Sequence, residues 1–526
     1  MRLILQASRW TLLLTLVLGR VAAPVHAQNI YVDPGNFGPS NGTPDHPYPT
    51  LSSAAAAAPA GSTLVLRGYQ YTNAFTITYP ETGSLPLIIN KNLKLTTQDG
   101  AAQIGQPLGT QRLWQLTGET DYEWQVSTPG QTVTRFGVLG TDLGSSFEHG
   151  DRIYFLFGDT IPSFNAHEKR PKDTDSVAWI PADTDPEKPV SLNFITADDG
   201  YYGTPNIHVP PGVPRVISQQ TCEVPLSGFS ANGQMYVFFS TDRYPVGTND
   251  CNMGSSVLTK LNRFDNPEGW FDYLYDVSCR PEICPSFTNK GKFINIAPVV
   301  VTNAGFHDLI QEIGKGEGVL LWGSGLYHKS NPYLAFLPLN AIEDPTAWSY
   351  AVTNGAGNFV RWSTNESDAT CLFDQPWLPP EAEGGIGELS VASIPYVDAH
   401  GNRTNKWIMT YNHLTPFGIH YRVADKPWGP WEGPYVLFDP SLDRGIGHFM
   451  HTDGGQCDSV DDGIQHDPPS GSPYGPYVIS RFTKSDATTA TIYWTMSTWH
   501  PYQVMLMKST LRLSDWRRVD HLLPSR

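Results

Sequence analysis

The chain has 526 residues, a formal charge of −16, 16% charged and 12% aromatic residues, 48 glycines and 44 prolines. A negative surface works against nucleic acid or an anionic membrane as partner, and this composition excludes a disordered or mainly helical chain in favour of a turn-rich, all-β exported protein. Its length exceeds what one core usually fills, so two domains or a large repeat fold are expected.

Taken in chain order, Arg2 and Arg9 come first, with the apolar run TLLLTLVLG and the small-x-small ending VAAPVHA. That is the pattern of a signal peptide over residues 1–27, cut after Ala27, and it predicts a secreted product. No later stretch approaches the ~20 apolar residues of a membrane span. Residues 28–108 then give IYVDPG, TLSSAAAAAPAGSTLVL and several short apolar runs, which read as a strand, a short Ala-rich helix and further strands. This piece resembles the N-terminal capping coil of right-handed parallel β-helix proteins. It is too short for a polysaccharide lyase groove, so it reads as a structural or spacing module.

From 109 to 526 the chain repeats. RIYFLFGD, QMYVFFSTD, GVLLWGSG, KWIMTYNH and TIYWTMST begin at 152, 234, 318, 406 and 491, an even spacing that signals repeat architecture. Each run has a strand before it (FGVLGTDLG, VPLSGFS, INIAPVVV, GELSVASI, YGPYVISRF) and another after it (DSVAWI, SSVLTKL, YLAFLPL, IHYRVA, QVMLMKS). Most units end near a tryptophan: Trp270, Trp348, Trp431 and Trp516. Three or four antiparallel strands repeated five times predict a five-bladed β-propeller. Two β-sandwiches are the competing architecture, and they would not produce this even period.

In such a fold the first strand of each blade lines the channel. The first hairpin, GTDLGSSFEHGDRIYFLFGDT, then carries Asp142 and Asp159 at the end remote from its turn. A register that sets Asp142 near Phe157 and Asp159 near Gly140 puts both on one face, as diagonal neighbours. Glu388 opens GELSVASIP and His413 closes KWIMTYNH in the fourth unit; Glu223, Asp242 and Arg243 take the matching places in the second; Trp499 and His500 follow the fifth. Carboxylates around one channel mouth suit glycoside hydrolysis, in which one acid protonates the leaving oxygen and another activates water or attacks the sugar. The expected catalytic residues are Asp142, Asp159 and Glu388. Arg243, Asp242, His413 and Trp499 are the expected substrate contacts on a polysaccharide. A strand-end Asp is more often a turn anchor, a lone His a packed core residue and an Arg an ion-pair partner, so a carbohydrate-binding or adhesive propeller without catalysis is the rival reading.

This chemistry calls for no cofactor. HFMHTDGGQCDSVDDGIQHDPP (448–469) has the oxygen-rich character that suits Ca²⁺, but it matches no EF-hand spacing, and an exposed acidic loop is the better account of it. Sialidase Asp boxes and a GxSxG elbow do not occur. Cys222, Cys251, Cys279, Cys284, Cys371 and Cys457 suit an oxidising compartment and disulfide bonding, and Asn41, Asn365 and Asn402 begin glycosylation sequons.

The motifs GTDLGSSF with FLFGDT, GFSANGQMYVFF, GELSVASIPYVDAHGNRTNKWIMTYN, WGPWEGPYVLFD, and YGPY with STWHPYQVMLMKS resemble domain-of-unknown-function family 4185, in one consistent order from about Arg112 to Leu513. The resemblance implies a five-bladed propeller related to glycoside hydrolase family 183, endo-acting on D-arabinofuranan. It implies catalytic aspartates in the first blade, falling on Asp142 and Asp159, with Glu388 in the matching GELS motif. The N-terminal module departs from the hydrolase pattern.

Overall fold

The computed structural model describes residues 28–519 apart from 33–38, 49–50, 60–61, 67–93, 98–108, 122, 125, 173, 218, 220–222, 243–252, 281–290, 355–356, 375–384, 399, 415–416, 452–463 and 465–469. The expected leader lies outside the described residues. The chain divides into two compact units, with the break between Leu108 and Gly109.

In the first unit three short strands, Asn29–Val32, Thr63–Leu66 and Lys94–Thr97, lie parallel and in unbroken register, Asn29 against Thr63 and Thr63 against Lys94. The helix Leu51–Ala57 packs against the first two. Its alanines are small enough to lie close, and Ala54, Ala55 and Ala58 form one buried cluster with Ile30, Val32 and Leu64.

The second unit is a five-bladed β-propeller. Each blade is a sheet counted outward from an inner strand: Val138–His149 in blade 1, Pro225–Ala231 in blade 2, Asn295–Val301 in blade 3, Leu389–Val397 in blade 4 and Pro473–Val478 in blade 5. Among the described residues all strand pairings in the blades are antiparallel except that of the short outermost strand Ile207–His208 of blade 2, which runs parallel to its neighbour. Each inner strand touches the next, and the fifth touches the first, which closes the ring. The five apolar runs seen in the sequence are the second strands. They read as near-continuous apolar runs because both faces of a blade are buried against neighbouring blades. Trp322 of blade 3 and Trp407 of blade 4 fill one such seam, with ring centroids 5.2 Å apart. The tryptophans that end the units, Trp270, Trp348, Trp431 and Trp516, are all buried.

Ring closure uses a strand the repeat pattern did not reveal. Thr110–Gln115 pairs antiparallel with Gln503–Arg512 and becomes the outermost strand of blade 5, so the start and end of the unit share one sheet. Thr110 Oγ1 donates to Leu437 O of blade 4. Arg112 is buried and paired with Asp121 at 2.6 Å and Glu123 at 2.6 Å, with its guanidinium stacked 4.1 Å over Trp124.

Candidate active site

Residues early in the inner strands, or just before them, meet at one end of the ring. Blade 1 brings Asp142, blade 2 Glu223, blade 4 Glu388 and blade 5 Tyr474 to that end, and Tyr327 arrives there just beyond the second strand of blade 3. Asp142, Glu223 and Glu388 are 7%, 2% and 5% exposed, so all three acids are built into the ring and do not sit as loose surface charge.

Blade 1 departs from the expected register. Asp142 stands opposite Gly158, not Phe157, and Gly140 stands opposite Ile161. The reason is a set of bulges: three steps along the second strand, Gly158 to Ile161, answer two along the first, and a further shift falls between Leu143 and Ser145. A bulge re-aims side chains and breaks the strict alternation on which the simple register relied. Asp159 lies inside this irregularity at φ +30°, beside Leu143 at +64° and Gly144 at +90° on the facing strand. Left-handed backbone at an Asp and a Leu is costly and persists only where the surroundings impose it. The same slippage recurs on the outer side, where Phe157 pairs with Ser176 and Thr160 with Thr174, leaving Asp175 opposite the Gly158–Asp159 bulge. Gly158 is required there, because a Cβ would lie 2.9 Å from Asp142 Oδ1.

The result is a set of coupled acids. Burial, then the charges of Asp159 and Asp142 and of Glu223, push Asp175 well above the usual carboxyl range, although the Asp159 backbone N–H donates to it. On the other side of Asp142, the Tyr474 hydroxyl donates to Asp142 Oδ2 at 3.0 Å, and the Tyr502 hydroxyl also donates to Asp142. Glu388 Oε1 accepts from the Tyr327 hydroxyl at 2.6 Å. Burial raises the Glu388 carboxyl above its ordinary value, against the opposing help of Tyr327, the Gly475 N–H and Asn412. Burial and then the Glu388 and Asp142 charges also push the Tyr477 hydroxyl well up, so acids from blades 1 and 4 act on one tyrosine of blade 5.

The structure thus brings Asp142, Asp159 and Glu388 into one neighbourhood and adds Asp175, Tyr327, Tyr474, Tyr477 and Tyr502, which sequence reasoning did not select. Trp499 belongs to the same region: its ring meets Tyr502 edge-on at 5.7 Å, in a cluster with Ile161 and Tyr474. Asp242 has a different company. Its carboxylate takes hydrogen bonds from Arg215, from Thr241 Oγ1 at 2.7 Å and from Ser255 Oγ at 3.1 Å. Burial works against that charge, yet these partners hold Asp242 below the ordinary carboxylate range. Arg243 lies outside the described residues, and of His413 only the backbone, paired with Gly418, is described. Most of the acidic segment 452–469 is likewise outside them. Among the described residues no group of three or more His, Cys, Asp or Glu is arranged to hold a metal ion.

A family model described as a domain of unknown function, DUF4185, matches residues 127–508, which takes in all five inner strands and every acid of this ring. The chain belongs to the DUF4185 family. No curated protein matches this DUF4185 chain. Among solved structures it is similar to an α-L-arabinofuranosidase from Podospora anserina in complex with cellotriose, with 11% identity, coverage of 76% of this chain and 97% of that one, and a TM-score of 0.36. It is also similar to an exo-1,5-α-L-arabinanase from a bovine ruminal metagenomic library, with 10% identity, 72% and 94% coverage and a TM-score of 0.32.

Proposed function

We propose that this chain is a secreted glycoside hydrolase acting on a polysaccharide, with an arabinofuranan-type glycan as its substrate. The observation that carries the reading is the convergence of carboxyl groups from separate blades on shared tyrosines: Asp142 from blade 1 and Glu388 from blade 4 both bear on Tyr474 and Tyr477. Glycosidic cleavage needs two carboxyl groups held in different protonation states. Glu388, raised by burial, suits the proton donor to the leaving oxygen. The blade 1 pair supplies the base, with Asp159, which is more exposed than Asp142, facing the attacking water. Acid and base on separate blades leave room for that water, which favours inversion; inverting enzymes hold their carboxyls ~6.5–9.5 Å apart. The half-buried Trp499 offers a ring face to a sugar. In this reading residues 1–27 direct export and residues 28–108 act as a spacing module.

The test is release of reducing ends from a panel of arabinans and other glycans by wild type, Asp159→Asn and Glu388→Gln, with the anomer first released followed by NMR. Activity lost in both variants, with binding kept, supports the reading. Glycan binding with no reducing ends from any substrate would replace it with a non-catalytic binding propeller. Retention of anomeric configuration would remove these acid and base roles.

A further inference from the structure

Blade 5 begins PYGPYV, and this short run does what no regular strand could. Tyr474 pairs with Ser497 and Tyr477 with Thr495, so three steps on the inner strand answer two on its neighbour. Without the extra residue Tyr474 and Tyr477 would point to opposite faces; with it they share one. Gly475 sits in the bulge at φ +59°, pressed against blade 1, where a Cβ would lie 3.3 Å from Leu143 Cα and 3.2 Å from Ser497 Oγ. One bulge therefore delivers the Tyr474 hydroxyl to Asp142 and the Gly475 N–H to Glu388.

Resting on the hydrolase reading above, we propose that Tyr474 and Tyr327 are positioning residues that set the protonation of the two carboxyl groups, Tyr474 keeping Asp142 of the blade 1 pair charged as part of the base and Tyr327 leaving the acid, Glu388, able to give up its proton. Tyr327 does so by limiting how far burial raises Glu388. The groups facing Tyr474 are Asp142 from blade 1, Glu388 from blade 4, Tyr327 from blade 3 and, within blade 5, Tyr502. Those facing Glu388 are Tyr327, Tyr474, Tyr477 and Asn412. His328 lies against Tyr327, with ring centroids 4.0 Å apart. A phenol that donates to a carboxylate favours its charged form. The Tyr474 hydroxyl itself is held well above the usual phenol range by burial and by the Asp142 charge, so it remains a donor across the working pH. Tyr327 is held the same way by burial and by Glu388. The acidic limb of a pH–rate profile belongs to the blade 1 pair as a unit, the basic limb to Glu388.

The experiment compares wild type with Tyr474→Phe and Tyr327→Phe in the full chain, using two readouts. The first is the pH titration of ¹³C-labelled aspartate and glutamate carboxyls, assigned with Asp142→Asn and Glu388→Gln, which needs no substrate. Tyr474→Phe is expected to raise the Asp142 midpoint by about one pH unit, the size of one charge-assisted hydrogen bond, and to leave the Glu388 midpoint in place. Tyr327→Phe is expected to raise the Glu388 midpoint alone. The second readout is kcat against pH on a cleaved glycan, where the acidic limb moves up in Tyr474→Phe and the basic limb in Tyr327→Phe, with KM little changed. Unmoved midpoints in both variants, or a loss of kcat equal at every pH, would overturn the inference. Wild type inactive on all glycans but with the midpoints shifting as stated would instead remove the hydrolase reading and leave the tuning in place.

Discussion

Blades 1 and 3 are built from the same kind of inner hairpin and solve different problems. In blade 3, Asn295–Val301 runs against Gly318–Ser324 through seven consecutive pairs without one register shift. In blade 1 the corresponding hairpin shifts register at three places and holds Leu143, Gly144 and Asp159 at positive φ. The regular hairpin carries buried apolar side chains and no acid among its paired residues; the irregular one carries Asp142 and Asp159. Regular pairing maximises hydrogen bonding and packing, whereas the bulges of blade 1 re-aim its two aspartates at the expense of that regularity. Strain at such positions is held by surrounding structure and is characteristic of functional sites.

The sharpest way to separate the acid site from the regular scaffold is to remove chemistry from one and packing from the other. Glu388→Gln, which keeps shape and volume, is expected to lower kcat by roughly 10²–10⁴-fold, the range for general acid catalysis, with an unchanged unfolding midpoint near pH 4. Leu320→Ala in the fully buried second strand of blade 3 is expected to cost about 2–5 kcal/mol of stability while the kcat of the folded fraction stays at the wild-type value. Denaturant unfolding together with initial rates checks both. If the Leu320 variant lost kcat as well, the division between regular scaffold and irregular site would break.

Gly475→Ala tests the blade 5 bulge. A Cβ at φ +59° costs about 1–2 kcal/mol, and the shift it forces at Leu143 and Ser497 should also lower kcat, so stability and turnover fall together. The pH dependence of stability offers a smaller effect. Asp175 is raised well above its unfolded value, so its contribution is complete below the unfolded carboxyl range near pH 4 and is lost as pH rises through the raised folded value. Asp175→Asn should therefore match wild type near pH 4 and be more stable at pH 7.5, by about 1.4 kcal/mol for each unit of the raise. Thermal melts at the two pH values read the difference, and an equal change at both would contradict it. The smallest effect is the most diagnostic of strain. Asp159→Gly relieves the left-handed backbone and should gain about 1 kcal/mol while losing activity, whereas Asp159→Asn should lose activity with no such gain.

The blades were legible in the sequence because their signal is local. Five apolar runs at even spacing, each with a strand on either side, state the repeat directly, and these segments form the strands expected of them, except that YGPYVISRF leaves its strand after Val478 and turns into a 3-10 helix at Ser480–Phe482. Part of the site was legible for a similar reason, since strand-end acids such as Asp142 and Glu388 stand out against apolar surroundings. Asp175 was not, because DSVAWI reads as an ordinary third strand, and only its pairing opposite a bulge makes it part of the acid cluster. Tyr474 and Tyr477 were hidden by simple alternation, which places residues three apart on opposite faces. Tyr327 lies in a loop far from Glu388 in the chain and reaches it only through the juxtaposition of blades 3 and 4.

The amino-acid sequence by itself determined the three inner strands of each blade and their five-fold grouping, because hydrophobic periodicity and turn residues act over a few positions. It also determined where the acids stand along each strand. The tertiary structure decided the rest: the closure of the ring by Thr110–Gln115, the register of the blade 1 hairpin, and which hydroxyl meets which carboxylate. Bulges and ring closure settle those matters through contacts between residues hundreds of positions apart, and the packing that imposes them exists only once all five blades have come together.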